Sequence, residues 1–158
     1  MRYLIIFLIM FSVITFDVNA ETYDFRKAKW EMSLSQVIKS EKNKYLERKK
    51  EAGKETLIYY SSYCNYPAKI YYSFSDKKLS LFAAYLSGNY KLQDKKPFLN
   101  VLSCLNSQYK NPTRENHTSI VSIVEYFWKR KKDTVSLYMV NNGKDKYNVI
   151  VTFIPEKK

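Results

Sequence analysis

The chain has 158 residues, and its 27 Lys and Arg against 15 Asp and Glu give a formal net charge of +12 at pH 7. Only three glycines and one histidine are present, which excludes glycine-rich phosphate loops and histidine-rich metal sites. Residues 21–158, taken apart from the N-terminal segment described next, have the size of one ordinary domain, so we expect a single domain.

Residues 1–20 have the pattern of a secretory signal peptide. Arg2 is a short positive start, residues 3–16 are almost wholly apolar, and the small-x-small pattern of residues 18–20 precedes Glu21. The alternative is an uncleaved membrane anchor, but the apolar core is shorter than the ~20 residues a spanning helix needs. The pattern predicts cleavage between Ala20 and Glu21 and a periplasmic or secreted domain.

The basic surplus indicates anionic partners. Loss of residues 1–20 would remove one cation and one anion, so the net charge stays +12. Export makes acidic proteins and anionic envelope components the expected partners, and no nucleic acid is expected. Peripheral membrane contact stays open, and so does a purely solubilising role for the lysines. The sequence does not indicate an oligomeric state.

Two cysteines, Cys64 and Cys104, are present. In an oxidising compartment an even count favours a disulfide, which would contribute about 3 to 4 kcal/mol in the chain-entropy picture. The alternative is a pair of buried thiols, since free Cys is among the most buried residue types.

A first helix is predicted to start at Ser33. Ser33 and Gln36 have the spacing of a capping box, and Met32 and Val37 that of a hydrophobic staple. In residues 39–55, 11 of 17 are charged, which predicts a solvated helix end and loop, with a basic interaction arm as the alternative.

Strand and helix patterns then alternate. Strands are predicted at residues 56–63, 69–74 and 79–86, then at 118–129, 134–140 and 147–154. Between the two groups, apolar residues at 3.6-residue spacing predict a helix capped by Asp94, with Pro97 in its first turn and a stop at residues 111–112. The order α-βββ-α-βββ predicts an α+β fold with two helices. The strands could form two small sheets or one antiparallel sheet with the helices on one face.

No catalytic or metal-binding constellation stands out. His117 is the only histidine, so it is the only candidate base for a catalytic cysteine. The spacing allows a pair with Cys104, but this pair lacks a nucleophile elbow and an identifiable oxyanion donor. Metal-ligand motifs are absent, and no cofactor is expected. We therefore expect a non-enzymatic protein. An enzyme acting on an envelope polymer through carboxylates without distinguishing context is the alternative.

Aromatic residues make up 16% of the chain, and some should face a partner. Tyr59 and Tyr71 are predicted on outward strand faces. A second candidate surface is a hairpin tip where Trp128 precedes four cations, Lys129, Arg130, Lys131 and Lys132. The alternative is an inward Trp128 that anchors the hairpin below a solvated turn.

Residues 25–37, with Phe25, Arg26, Trp30, Ser33 and Val37 at fixed spacing, carry a resemblance. They resemble the opening F-R-x-x-x-W-G-M-S-x-x-x-V of small exported bacterial domains of uncharacterised role, with a Glu at position 31 in place of the usual Gly. Those domains are similar in layout to beta-lactamase-inhibitor-protein-like folds.

The resemblance implies a binding or envelope-assembly module with no catalytic residues to carry over. Together with the leader and the charge, it gives the leading hypothesis of an exported binding module that recognises a protein or an anionic envelope component. A membrane-active or host-directed secreted factor is the remaining rival.

Overall fold

The computed structural model describes residues 25–110, 112–116, 122–143 and 145–156. The predicted signal peptide, its cleavage site at Ala20 and Glu21, and His117 lie outside the described residues. No helix within the described ranges is long and apolar enough to cross a membrane.

Within these ranges the chain forms two helices and eight strands. In chain order these are α1 (Leu34–Glu41), β1 (Glu47–Glu51), β2 (Lys54–Tyr63), β3 (Tyr66–Ser75), β4 (Lys78–Lys91), α2 (Lys96–Tyr109), β5 (Arg114–Asn116), β6 (Ser122–Lys129), β7 (Asp133–Gly143) and β8 (Lys146–Pro155).

The eight strands form one antiparallel sheet in the order β1-β2-β3-β4-β8-β7-β6-β5. The first half of the chain, α1 with β1 to β4, meets the second half, α2 with β5 to β8, where β4 pairs with β8. At this seam Phe82 lies opposite Phe153, and Leu86 lies opposite Val149. The α+β class and the outline of the element order are therefore confirmed, and the strands form one sheet rather than two.

Both predicted helices are present, with one difference in capping. At α1, the Ser33 hydroxyl accepts from the Gln36 amide at 3.4 Å, and the Gln36 side chain accepts from the Ser33 amide at 2.8 Å. At α2, Pro97 lies in the first turn, but the N-cap residue is Lys95 rather than Asp94. The Asp94 carboxylate instead accepts from the Lys96 amide at 3.1 Å, because it lies one residue too early to be the cap.

Two strands were not predicted. β1 lies in the charged segment that was expected to be a loop, and all five of its side chains are exposed. It pairs along β2, with Glu47 opposite Ile58 and Glu51 opposite Lys54. Charged residues are common on edge strands because they discourage pairing with other chains. β5, at the other edge, has only three residues.

The hydrophobic core lies on one face of the sheet, which we call the covered face. Tyr72, Phe82 and Phe153 lie side by side across β3, β4 and β8, and the Phe25 ring stacks on Phe82 at 4.5 Å. Helix α1 reaches this face where the Tyr72 hydroxyl donates to Glu41. Helix α2 reaches the same face through Tyr109, whose ring is 6.2 Å from that of Phe153. The opposite side of the sheet, which we call the open face, carries no helix among the described residues.

A disulfide joins the two halves. Cys64 lies in the two-residue turn between β2 and β3, and Cys104 lies on α2, with their Cα atoms 6.0 Å apart. The predicted disulfide is therefore present.

Residues 25–33 are fastened to the covered face by three specific contacts. Phe25 is in the core, Arg26 forms an ion pair with the fully buried Glu41 at 3.1 Å, and the Trp30 indole donates to Asp133 at 2.8 Å. Phe25, Arg26 and Trp30 thus have structural roles, since each one links this segment to a different part of the fold.

Candidate partner-binding face

The open face is built from the outward-facing residues of the paired strands. Because side chains alternate between the faces of a strand, residues opposite each other in register share a face. Two rows cross its middle. One contains Tyr60, Lys69, Tyr85, Ile150, Tyr138 and Glu125, and the other contains Ile58, Tyr71, Ala83, Thr152, Ser136 and Phe127.

The centre of the open face is aromatic and continuous. Tyr85, Ile150 and Tyr138 lie side by side on β4, β8 and β7, and all three are half-buried. Burial raises the pKa of Tyr85, and the neighbouring Tyr71 raises it further. On the same face, the Phe127 ring of β6 meets the Tyr138 ring of β7 edge to face, with the ring centroids 6.5 Å apart. These rings and Ile150 form a surface that no described part of the chain covers with a helix.

Lysines lie beside this aromatic centre. Lys69 is exposed in the same row as Tyr85, and Lys129 is exposed at the end of β6, opposite Thr134. Among the described residues, neither of these lysines forms an ion pair. Lys49, near the β1 edge, is paired with Glu47 at 3.5 Å. The cations at Lys69 and Lys129 are therefore not neutralised by a described carboxylate.

Of the two predicted tyrosines, the structure places only Tyr71 on the open face. Tyr59 is 2% exposed and lies on the covered face, where its ring packs edge to face against Tyr72 at 5.7 Å. The prediction for Tyr59 was wrong because Ile58 and Tyr59 are both buried, so alternation in β2 does not reveal the outward side. The outward residue is Tyr60, which is 60% exposed.

Trp128 is also buried, which decides between its two interpretations and rules it out as an exposed anchor. It is 1% exposed, lies opposite Val135 in register, and its indole donates to the Lys110 carbonyl at 2.9 Å. This is the inward alternative, in which Trp128 fixes the hairpin. The reason is its position on β6, which directs it to the covered face together with the rest of the core.

The four cations after Trp128 do not form one surface. Arg130 is half-buried, forms an ion pair with the buried Asp133, and lies over the Tyr109 ring at 4.7 Å. It stabilises the hairpin from the covered side. Lys131 and Lys132 are exposed in the turn between β6 and β7, while Lys129 alone lies in register on the open face.

Sequence reasoning did not single out the residues that form the centre of the open face. Tyr85, Tyr138, Ile150 and Phe127 come from four different strands, and only the pairing of β4 with β8 brings them together. The available signal was an apolar run on both faces of residues 79–86, which indicates that some apolar side chains must face away from the core.

A buried polar cluster lies on the covered face. The fully buried Glu41 carboxylate accepts from Arg26 at 3.1 and 3.3 Å and from the Tyr72 hydroxyl, and Arg26 also donates to Ser61 at 2.9 Å. Burial, followed by the nearby Glu41 charge, raises the pKa of Tyr59 to about 12. Among the described residues, the buried Tyr59 hydroxyl has no hydrogen-bond partner. The cluster binds α1 and Arg26 to the sheet.

The described residues offer little for metal or acid–base chemistry. No group of three His, Cys, Asp or Glu side chains among them could hold a metal ion. Three surface depressions within the described chain are each lined by at most one carboxylate, Glu51 in one and Glu55 in another. None of the three presents two facing carboxylates.

Neither a family model, nor a curated protein, nor a solved structure matches this chain. Function is therefore inferred from the residues and geometry of the open face.

Proposed function

We propose that this chain is an exported, non-enzymatic binding module that recognises a protein partner through its open face. The observation that carries the proposal is the one-sided sheet. Both helices pack on the covered face, and the other face has Tyr71, Tyr85, Tyr138 and Ile150 at its centre. Contiguous apolar surface with a polar surround is typical of interaction sites, and Tyr is enriched in them.

The dimensions of the open face suit a protein interface. Seven strand spacings give a width of about 34 Å, and the two rows named above with a third row through Lys129, Thr134 and Ile154 give a height of about 20 Å. The resulting area of roughly 700 Å² is close to the ~800 Å² that each partner contributes to an interface of standard size. A flat surface of this kind fits a macromolecule better than a small molecule, which ordinarily binds in a concave pocket.

Two further observations support export. Residues 1–20 have the pattern of a signal peptide, and disulfides such as that between Cys64 and Cys104 persist mainly in oxidising compartments. The resemblance of residues 25–37 to small exported bacterial domains points to the same setting and to a binding or assembly role.

The test is photo-crosslinking in cells that naturally produce the chain. The photoreactive residue benzoyl-phenylalanine would replace Tyr85 in one variant and Leu99 in a control variant. Leu99 is 53% exposed on α2, away from the open face. We expect a discrete protein adduct from position 85 and none from position 99, with melting temperatures like that of the unmodified chain in both variants.

Two results would count against the proposal. The first is the absence of a protein adduct from position 85 in a variant that folds normally. The second is the same adduct in equal yield from positions 85 and 99, because that would show contact without use of the open face. An adduct with lipid or envelope polymer would instead favour an anionic envelope component as the partner.

A further inference from the structure

We infer that the protein bound at the open face is a second copy of this chain, stacked face to face about a two-fold axis that runs along β8. This inference rests on the proposed function and names the partner. It is carried by one row of the open face, which from β3 to β6 contains Lys69, Tyr85, Ile150, Tyr138 and Glu125.

This row is arranged symmetrically around β8. Lys69 on β3 and Glu125 on β6 each lie two strands from β8, which is about 10 Å to either side. Tyr85 and Tyr138 each lie one strand from β8, and Ile150 is on β8 itself. Among the described residues, neither Lys69 nor Glu125 forms an ion pair. The row therefore has similar side chains on both sides of its apolar centre and opposite charges at its two ends.

A two-fold axis along β8 makes such a row complementary to itself. Stacking about this axis reverses the strand order of one copy over the other, so each row meets the same row. Lys69 of each copy then lies over Glu125 of the other, and Tyr85 lies over Tyr138. Stacked sheets lie about 10 Å apart with their strands within about 30° of each other, which offsets the charged residues by about 5 Å. The long side chains of lysine and glutamate can span that offset.

The two adjoining rows bring no like charges together in this arrangement. Lys129 on β6 meets Ser73 of the second copy on β3, and Tyr71 meets Phe127. From β3 to β6 the three rows hold two cations, Lys69 and Lys129, and one anion, Glu125, so they carry only +1 of the net charge of +12. The remaining charge opposes association at low salt, but at 0.15 M ionic strength it is screened beyond about 8 Å.

The size and the apolar content of the open face also suit a pair of identical copies. Two faces of roughly 700 Å² would bury about 1,400 Å² in total, within the range of specific interfaces. Ile154 is 46% exposed although it is apolar, and it lies on β8. Stacking about this strand would cover Ile154 with the same residue of the second copy. Two-fold pairs are also the commonest oligomers of identical chains.

The test exchanges the two charges and measures dimerisation of the purified protein by sedimentation velocity at about 150 mM salt. Lys69→Glu and Glu125→Lys each place two pairs of like charges across the axis, so we expect each to weaken the dimer about tenfold. The variant with both changes should restore the dimer, because its ion pairs are only reversed. An equimolar mixture of the two single variants should dimerise for the same reason.

A control variant separates local pairing from net charge. Lys69→Glu and Lys39→Glu lower the net charge equally, but Lys39 is exposed on α1, away from the open face. Lower net charge alone would strengthen association, so we expect only Lys69→Glu to weaken the dimer. In cells, the photoreactive residue at position 85 should link to β7 of a second copy, because Tyr85 lies over Tyr138.

The outcomes separate this inference from the proposed function. A monomeric wild type at about 150 mM salt would overturn the second copy as partner. A double variant that stays monomeric while folding normally, or a dimer weakened equally by Lys39→Glu, would overturn the two-fold pairing. An adduct between position 85 and a different protein would also overturn this inference, but it would leave the open face as a binding site. Only the absence of any protein adduct would count against the proposed function itself.

Discussion

Glu31 adopts a backbone φ of +71°, the left-handed conformation that favours glycine. Its carboxylate forms an ion pair with Lys78 at 2.6 Å. The turn before α1 therefore keeps the conformation expected of a glycine even though a glutamate is present. The backbone penalty is tolerated because the flanking residues Trp30 and Met32 are held to the sheet by hydrogen bonds.

The backbone penalty at position 31 can be measured by comparing two variants that both lack the carboxylate. We expect Glu31→Gly to be more stable than Glu31→Ala by about 1 kcal/mol, because only glycine adopts this φ without steric cost. Chemical denaturation at neutral pH would give both free energies of unfolding. An equal or more stable Glu31→Ala would show that the turn relaxes to another conformation.

The buried hydroxyl of Tyr59 has no hydrogen-bond partner among the residues that the structure describes, so removing it should stabilise the fold. We expect Tyr59→Phe to raise the free energy of unfolding by about 1 kcal/mol at neutral pH, because the unpaired group no longer has to lose its hydration. The matched control is Tyr60→Phe, which changes a 60% exposed side chain and should have no effect. A destabilised Tyr59→Phe would mean that the hydroxyl has a partner in solution.

The same residue gives a pH dependence. An unfolded tyrosine has a pKa near 10, and burial raises that of Tyr59 to about 12 in the native protein. The native state therefore holds the Tyr59 proton more strongly than the unfolded state does. The stabilisation that comes from this tighter proton binding is complete below pH 10 and is lost as the pH rises through about 12. Denaturation of the wild type between pH 9 and 12 should show a fall in stability that is shallower in Tyr59→Phe. Equal slopes would contradict the assignment.

At the scale of single residues, the sequence predicted a helix cap better than it predicted which face of a strand a side chain occupies. Ser33 and Gln36 formed the expected capping box because that signal depends on four consecutive residues. The outward placement of Tyr59 was wrong, and that of Trp128 stayed open, because burial depends on what lies above and below the strand. In the middle of β2 both faces are buried, so alternation carries no information there.

At the scale of elements, β1 shows how pairing overrides composition. Its sequence has no apolar residue, and a charged run of this kind is ordinarily a loop or helix surface. It is a strand because the turn at residues 52–53, with positive φ at both Ala52 and Gly53, folds it back along β2. Pattern reasoning found the six longer strands and both helices, whose periodicity is local, and missed the two edges.

The disulfide is the covalent link between elements whose contribution can be isolated. We expect Cys64→Ser with Cys104→Ser to lower the free energy of unfolding by about 3 to 4 kcal/mol, since the bond closes a loop with a sequence separation of 40 residues. Equilibrium denaturation gives the value, and a reducing agent should lower the stability of the wild type but leave the double variant unchanged. A double variant as stable as the oxidised wild type would show that the unfolded chain is already restricted.

At the scale of the whole molecule, the sequence left open whether the two halves form separate sheets. The decisive contact is the pairing of β4 with β8, which joins residues about seventy positions apart, as in Phe82 with Phe153. Pairing over such a separation leaves no local signal. The open face depends on this contact as well, and it therefore could not be located from the pattern of any single strand.

The basic surplus and the charged edge strand β1 also predict the association state. We expect the chain to be a monomer at low salt, because a net charge of +12 opposes stacking of open faces and the charges of β1 oppose pairing of edges. Sedimentation velocity at about 50 mM and about 500 mM salt would check this, with a monomer expected at the lower salt. A stable dimer at 50 mM salt would contradict it.

The bond between Cys64 and Cys104 has one more consequence, because it crosses from the first half of the chain to the second. If two copies exchanged halves during folding, the first half of one copy would supply Cys64 and the second half of the other would supply Cys104. Each exchanged pair would then be closed by a bond between chains. Exchange would therefore produce a disulfide-linked dimer, visible on a non-reducing gel. Formation of the bond within one chain after correct folding would prevent the exchange.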